Sequence, residues 1–306
     1  MARRLKSSDQ FDLFVPYMTD LPLRDQRETM ERPFFALAKR KRLKLIDYVS
    51  PDGMVWVKVQ PHQDFGMATI YDADILIWAA SQITEYLRRR GRNEPPGPTL
   101  RFQPYDLLRA IRRNTGGKDY QELRQALDRL RTTSIKTNIR GKGKKKEASF
   151  QWLDSWTDHV DETSGQSLGM TLTLSNWMYE GLLLEGGVLS IHPEYFELTG
   201  AIERWLYRIA RKHAGNQTQG STITVTTLYE KSGSEDVKKK FKAALKKIAA
   251  TDRLPEYHLD WVEKTESGDS AVHMVRREFL APDHPGYGFP SRKDRRRPAL
   301  AKPSGR

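Results

Sequence analysis

The sequence predicts an α+β fold of two tandem domains, because one helical pattern occurs in it twice. In residues 123–130 and again in residues 241–248, an apolar residue is followed three positions later by alanine. A second apolar residue comes directly after the alanine, and a third comes three positions further on. Each copy follows a short helical segment and a turn that contains glycine, and strand-like residues follow each copy. This order of elements is typical of a winged helix, a fold that usually binds duplex DNA.

Length and composition exclude several classes of protein. A chain of 306 residues can form two domains that each bury a core. No run approaches the roughly 18 apolar residues of a membrane helix, and no apolar stretch follows the N-terminus as in a secretory signal. We therefore expect a cytoplasmic protein without a membrane partner. The absence of cysteine excludes disulfides, thiolate metal sites and cysteine nucleophiles.

The positive charge is concentrated in two segments. The net charge is +13, yet residues 101–150 hold 14 Lys and Arg against 5 Asp and Glu, and residues 291–306 hold 7 against 1. The rest of the chain is nearly neutral. A surface that only keeps a protein soluble would spread its charge, whereas a phosphate-binding surface concentrates it.

Breaks in the pattern divide the chain into four parts. Residues 1–33 are predicted to form a flexible arm, and residues 282–306 a disordered basic tail. Residues 34–165 are predicted to form the first winged-helix domain, and residues 166–281 the second. A strand over 168–174 and a helix over 176–185 are expected to bridge the two domains.

The elements of each domain follow from periodicity and from helix-ending residues. In the first domain we expect a hairpin at 41–59 and helices at 73–90, 104–111 and 118–131. A long returning strand is expected at 149–160. A second strand at 135–139 would pair with that return, so that the basic residues 141–146 form the tip of the wing. In the second domain we expect helices at 199–213, 227–231 and 236–250, and strands at 223–225, 257–262 and 272–279.

The predicted third helix of the first domain has the side chains of a recognition helix. Its buried positions leave an outer face that carries arginine, glutamine and lysine, residues that can form paired hydrogen bonds with guanine and adenine or contact phosphates. An ordinary amphipathic surface helix is the alternative. The candidates for DNA contact on this face are Lys118, Gln121, Arg124, Gln125 and Arg129.

Two further groups of residues are predicted to contact DNA phosphates. In the expected wing, Arg140, Lys142, Lys144, Lys145 and Lys146 have little structural role. On the outer face of the second helix copy lie Lys238, Lys239, Lys242 and Lys246. Lysine suits phosphates better than base edges, so the first helix is expected to provide specificity and the second affinity. A solvated charged face is the alternative for the second group.

The arm contains a short motif, Gln10-Phe11-Asp12-Leu13-Phe14. It resembles the peptide with which bacterial replication proteins dock into the hydrophobic pocket of the sliding clamp. In that interpretation Leu13 and Phe14 fill the pocket and Gln10 and Asp12 provide polar contacts. The alternative is that Phe11 and Phe14 pack on the first domain.

The sequence provides no basis for an enzyme. Its seven histidines form no His-x-His pair and no His-Glu-x-x-His motif, so a metal site is not expected. A phosphate-binding loop of the form Gly-x-x-x-x-Gly-Lys-Ser/Thr is also missing. We therefore predict no catalytic activity, no metal and no cofactor.

From about residue 6 to residue 279 the chain resembles the replication initiator protein A family of plasmids. The resemblance is carried by residues 10–14, 71–78 (YDADILIW), 226–234 (TTLYEKSGS) and 241–248 (FKAALKKI). It adds Ser234 to the candidate DNA contacts. It also implies binding to repeats in double-stranded origin DNA, duplex opening, contacts with the host initiator, replicative helicase and sliding clamp, repression of its own gene, and a possible homodimer.

Two alternatives differ from this interpretation in what they require. A transcription regulator would use the same tandem winged helices without needing the arm motif. A rolling-circle initiator would need a tyrosine beside paired metal-binding histidines, which is a pattern that the sequence lacks.

Overall fold

The computed structural model describes residues 13–14, 21–140, 147–163 and 167–288. The chain forms two compact units, unit 1 (Met1–Phe196) and unit 2 (Glu197–Arg306). In the described ranges, no helix has the length and apolar character that crossing a membrane requires.

Among the described residues of unit 1, four α-helices lie at positions that the periodicity predicts. They are α1 (Ala73–Arg90), α2 (Pro104–Ala110), α3 (Gly117–Thr132) and α4 (Asn176–Leu183). The amphipathic pattern of α3 is confirmed, since Leu123, Leu127 and Leu130 are fully buried. Helix α1 ends at Gly91, whose φ of 86° suits a residue without a side chain.

The strands that the structure describes in unit 1 form three sheets. The strands are β1 (Leu13–Phe14), β2 (Arg24–Gln26), β3 (Ile46–Val49), β4 (Trp56–Gln60), β5 (Thr99–Phe102), β6 (Ser134–Thr137), β7 (Ala148–Phe150), β8 (Leu153–Val160), β9 (Ser167–Leu174) and β10 (Val188–Ser190). The first sheet has the order β1-β5-β9-β8, and β10 pairs with β2. The order β3-β4-β6-β7 forms what we call the inserted sheet.

The returning strand predicted over residues 149–160 is in fact two strands in two sheets. Strand β7 pairs with β6 in the inserted sheet, whereas β8 pairs with β9. Between them lies Trp152, which is fully buried and donates its backbone N–H to the carbonyl of Leu130 at 3.1 Å. Burial of this indole turns the chain from one sheet to the other.

The boundary between the units lies at Phe196, not at residue 165 as the sequence indicated. Strand β9 is central to the first sheet, where it pairs with both β5 and β8, so it belongs to unit 1 and does not bridge domains. Part of the predicted arm is also folded. Strand β2 pairs with β10, and Met30 is fully buried.

Up to residue 288, unit 2 is built from three α-helices and three strands. They are α5 (Ala201–His213), β11 (Ser221–Thr224), α6 (Val225–Ser232), α7 (Lys238–Thr251), β12 (Tyr257–Val262) and β13 (Ala271–Arg276). The sheet order is β11-β13-β12. Phe241 of α7 is fully buried and packs against Trp205 and Tyr229.

Both units contain one shared connectivity. In each, a helix is followed by a strand, two helices and a hairpin, and the hairpin's second strand pairs with the first strand. In unit 1 these elements are α1, β5, α2, α3, β8 and β9, and in unit 2 they are α5, β11, α6, α7, β12 and β13. The inserted sheet is an addition to this plan in unit 1.

The first residues of the predicted disordered tail are ordered in unit 2. Arg277 donates to the carbonyl of Gly286 at 2.9 Å and to the Asp252 carboxylate at 2.9 Å. His258 lies within hydrogen-bonding distance of Asp252, at 2.7 Å, and this contact raises the pKa of His258. These contacts fix the chain up to residue 288, and residues 289–306 lie outside the described ranges.

Candidate nucleic-acid interface

The outer face of α3 presents the polar side chains that the sequence predicted. The helix begins after Gly116, whose N–H donates to the Asp119 carboxylate at 3.1 Å and so closes the first turn. Because the buried residues face inward, Lys118, Gln121 and Gln125 are exposed. Lys118 lies 3.7 Å from Glu122, and its side chain remains 85% exposed. These three residues are accessible to a duplex that approaches α3.

Arg124 is held at the edge of the same face. Its Nε and Nη2 donate to Oδ2 of Asp158 on β8, at 3.1 and 2.5 Å. Asp158 also accepts a hydrogen bond from the hydroxyl of Ser167 at 2.6 Å. The Arg124 side chain remains 40% exposed. The carboxylate therefore fixes the orientation of a guanidinium that DNA can still reach.

Arg129 forms an ion pair inside unit 1 and does not point outward as a candidate DNA contact. Its Nε and Nη2 each lie 2.8 Å from an oxygen of Asp72, whose side chain is only 2% exposed. Burial lowers the pKa of Arg129, but the hydrogen bonds and charge of Asp72 outweigh it, so the pKa is raised. This bidentate pair joins α3 to the start of α1. It gives Asp72, which lies in the segment 71–78 that carries the family resemblance, a structural role.

Arg140 is also held inside unit 1. Its guanidinium pairs with Glu28, donates to the carbonyl of Trp177 and lies 4.0 Å from the centroid of the Trp177 ring. Its side chain is only 16% exposed. The other residues predicted for this group, Lys142, Lys144, Lys145 and Lys146, lie outside the described residues.

The hairpin beside α3 is not the basic one that the sequence predicted. Strands β8 and β9 form it, and β8 contacts α3 through Asp158 and through Trp156, whose indole N–H donates to Asp128 at 3.2 Å. Residues 147–163 contain no Lys or Arg and carry five carboxylates. The lysine-rich residues 141–146 instead connect two strands of the inserted sheet.

Helix α7 carries the lysine-covered face that the sequence predicted, and Lys238, Lys239 and Lys246 are exposed. The structure adds Trp261 of β12, a residue that the sequence analysis missed. The Nζ atoms of Lys242 and Lys246 lie 5.9 and 5.6 Å from the centroid of its ring. Lys246 also pairs with Glu263 at 3.0 Å. A tryptophan in the strand that follows the lysine helix is the signal that could have identified it.

The turn between α6 and α7 is organised by side chains. The hydroxyl of Ser234 accepts the N–H of Asp236 at 3.2 Å, so Ser234 shapes this turn. Lys238 donates to the hydroxyl of Thr226 at 2.6 Å, and the N–H of Thr226 donates to Asp269 at 2.9 Å. The start of α7 is thus tied to α6 and to the hairpin of unit 2.

The arm motif is described only in part. Gln10 and Asp12 lie outside the described residues. The backbone of Leu13 and Phe14 forms β1, which pairs in parallel with Leu100 and Arg101 of β5. The motif's last two residues therefore extend the first sheet at the edge of β5.

Comparison with known proteins identifies the class to which this two-unit α+β protein belongs. Residues 24–259 match the model of the family described as replication initiator protein A. A putative replication protein of Wigglesworthia glossinidia brevipalpis is 36% identical over 239 residues, which cover 77% of this chain and 84% of that protein. The chain therefore belongs to the replication initiator protein A family, and the resemblance inferred from the sequence is confirmed.

Two solved structures are similar in fold, and both contain domains 2 and 3 of RctB. One aligns with a TM-score of 0.56 and 15% identity over 80% of this chain and 96% of the RctB chain. The other aligns with a TM-score of 0.53 and 13% identity over 80% and 95% of the two chains. At these identities the similarity concerns the fold alone.

No group of three or more metal-ligating side chains that could hold a metal ion occurs among the residues that the structure describes.

Proposed function

We propose that this protein is a plasmid replication initiator whose two units are winged-helix domains that bind repeats in double-stranded origin DNA. The observation that carries the proposal is the exposed face of α3, with Gln121, Gln125 and the braced Arg124, in a member of an initiator family. The connectivity shared by the two units supports the winged-helix assignment, because α3 and α7 occupy the place of the recognition helix in it.

The two helices have different roles in this proposal. Glutamine can form paired hydrogen bonds with adenine, and arginine with guanine, so α3 reads the sequence. Lysine contacts phosphates as a flexible point charge, so α7 adds affinity that depends little on sequence. Trp261 supports this role because it lies under Lys242 and Lys246 and limits their freedom before DNA arrives.

Origin opening would follow from several copies binding adjacent repeats. Their combined contacts would supply the energy that deforms and melts a neighbouring AT-rich segment. The host initiator and replicative helicase would then be recruited to the open DNA. Binding of the same protein, as a homodimer, at its own promoter would repress its gene.

We expect the double variant Gln121→Ala/Gln125→Ala to lose sequence preference. Each paired hydrogen bond with a base is worth about 1–3 kcal/mol of discrimination, so the affinity for origin repeats should fall to near that for random duplex. Both side chains are exposed, so unfolding should be unchanged. Fluorescence anisotropy with origin and random duplexes measures the effect.

The matched control for that experiment is Lys239→Ala on the exposed face of α7. It should weaken binding to both duplexes equally and reduce the slope of log K against log salt by about 0.9. If the glutamine variant also weakens both duplexes equally, α3 does not read sequence and the proposal is wrong.

Footprinting around the protein's own gene separates this proposal from the transcription regulator. Protection of evenly spaced direct repeats beside an AT-rich stretch supports the initiator. A single protected operator at the promoter, without repeats, favours a regulator with the same winged helices.

We further propose that the arm motif binds the host sliding clamp, with Leu13 and Phe14 as the anchors. Leu13→Ala/Phe14→Ala should then abolish clamp binding in surface plasmon resonance, because two apolar anchors provide most of the affinity of such a peptide. Leu168→Ala, which removes an apolar side chain that is 63% exposed on β9, serves as the control. Equal clamp binding by both variants would exclude the motif.

A further inference from the structure

We propose that the exposed face of the inserted sheet is a second DNA-binding surface, which contacts the sugar–phosphate backbone beyond the bases that α3 reaches. The inference rests on the proposed DNA-binding function, and its ligand is a phosphate backbone of duplex or single-stranded DNA. Its central residues are Lys58 of β4 and Lys136 of β6.

The pairing of Lys58 with Lys136 indicates an anionic ligand. These residues lie directly opposite each other in the register of β4 and β6. Like charges in this position destabilise a sheet unless a counter-charge lies between them. Asp47 supplies one carboxylate, 3.2 Å from Lys58, but the Lys58 side chain remains 56% exposed and Lys136 is exposed. A phosphate between the two lysines would turn their repulsion into shared attraction.

The same face contains a depression that can receive such a group. A cavity of about 270 Å³ is bordered by Lys58, Lys136, Asp47 and Gln60, and also by Leu45 and Ser134. Two lysines therefore border a concave surface whose remaining polar groups are an amide, a hydroxyl and one carboxylate.

Positive charge continues from this face along the chain that leads into β3. Lys39, Lys41 and Lys44 are all exposed there. The segment is fixed in place by Arg42, which is buried and donates from Nε to the carbonyl of Lys44 at 2.9 Å. Several separate cations match an extended phosphate backbone better than they match a compact anion.

The acidic hairpin beside α3 favours phosphate contacts on another surface of unit 1. A recognition helix needs phosphate contacts that set its register on the duplex. Strand β8 carries Asp154 and Asp158 and no Lys or Arg, so it offers a phosphate no lysine or arginine. The inserted sheet, in contrast, exposes Lys58 and Lys136 side by side.

The test uses the full chain with Lys58→Gln/Lys136→Gln, which removes two charges and keeps most of the side-chain length. Its control is Arg90→Gln/Arg92→Gln, which removes two charges from exposed positions at the end of α1. Binding is measured against salt concentration for an origin repeat with long flanks, for the same repeat without flanks, for random duplex and for an oligothymidine strand.

For the lysine variant we expect a smaller slope of log K against log salt than for the wild type, and the control should not show this decrease. Two lost phosphate contacts reduce the slope of log K against log salt by about 1.8 on duplex or about 1.4 on a single strand. At 0.1 M salt the duplex value corresponds to a loss of up to about 60-fold in affinity. A loss on the flanked duplex alone assigns the surface to flanking DNA, and a loss on oligothymidine assigns it to melted DNA.

One result would overturn the inference, namely a salt slope equal to that of the control on every DNA. The unfolding temperature of the DNA-free lysine variant is measured as well, because Lys58→Gln also removes the ion pair with Asp47 and any loss of folded protein must be separated from a loss of DNA contacts. If the wild type shows no preference for origin repeats, the proposed function is wrong. The salt slope on random duplex then still tests whether Lys58 and Lys136 contact DNA.

Discussion

Arg129→Ala is expected to lower the free energy of unfolding of unit 1 by about 3–5 kcal/mol, since it leaves a buried carboxylate without its charged partner and with only the N–H of Thr69 as a donor. Asp72 is 2% exposed and cannot reach water, whereas Arg129 is 22% exposed. The reverse change, Asp72→Ala, should therefore cost less, because the arginine that remains can turn toward solvent. Urea denaturation of the two variants measures the difference.

Arg131→Ala is the control for this prediction, because Arg131 is an exposed arginine of the same helix. It should change the free energy of unfolding by no more than about 0.5 kcal/mol. If Arg129→Ala is equally mild but loses sequence preference for DNA, then Arg129 contacts bases, as its position in the sequence suggested. The expected result instead is that its DNA binding is unchanged at temperatures where the variant is folded.

Trp152→Ala is expected to be equally damaging, at about 3–5 kcal/mol, because it removes a large side chain from a site that cannot close around the space. Trp152 stacks on Phe35 with ring centroids 4.8 Å apart, and contacts Phe34 at 5.6 Å and Phe150 at 5.8 Å. Its backbone also joins Leu130 to Ser175. The cavity would therefore loosen β7, β8 and the end of α3 together. Thermal unfolding followed by circular dichroism measures it.

Trp56→Ala serves as the comparison, because Trp56 belongs to the same unit but is only partly buried. Its cost should be less than half that of Trp152→Ala, and Trp152→Phe should recover part of the loss because a smaller ring still fills part of the site. Equal costs for the two alanine variants would mean that the aromatic cluster around Trp152 does not hold the inserted sheet and the first sheet together.

Helix positions were accessible to sequence reasoning because they depend on local spacing. The apolar stripe of α3 and that of α7 fix which residues face inward, and hence that Gln121, Gln125 and Lys239 face outward. The predicted helices near 73–90, 118–131, 199–213 and 236–250 are all present. The family was also predictable, since segments such as 71–78 and 226–234 are continuous in the sequence.

Strand pairing and arginine partners were decided only by the tertiary structure. Apolar alternation identifies strands but not their neighbours, so residues 149–160 suggested one strand where burial of Trp152 divides the chain between two sheets. In the same way, Arg124, Arg129 and Arg140 look alike in the sequence, yet their carboxylate partners are 34, 57 and 112 residues away. The sequence by itself thus determined the helices, their exposed faces and the family. Only the fold could decide which of these cations are held by carboxylates and which remain exposed, because contacts between distant residues leave no local pattern.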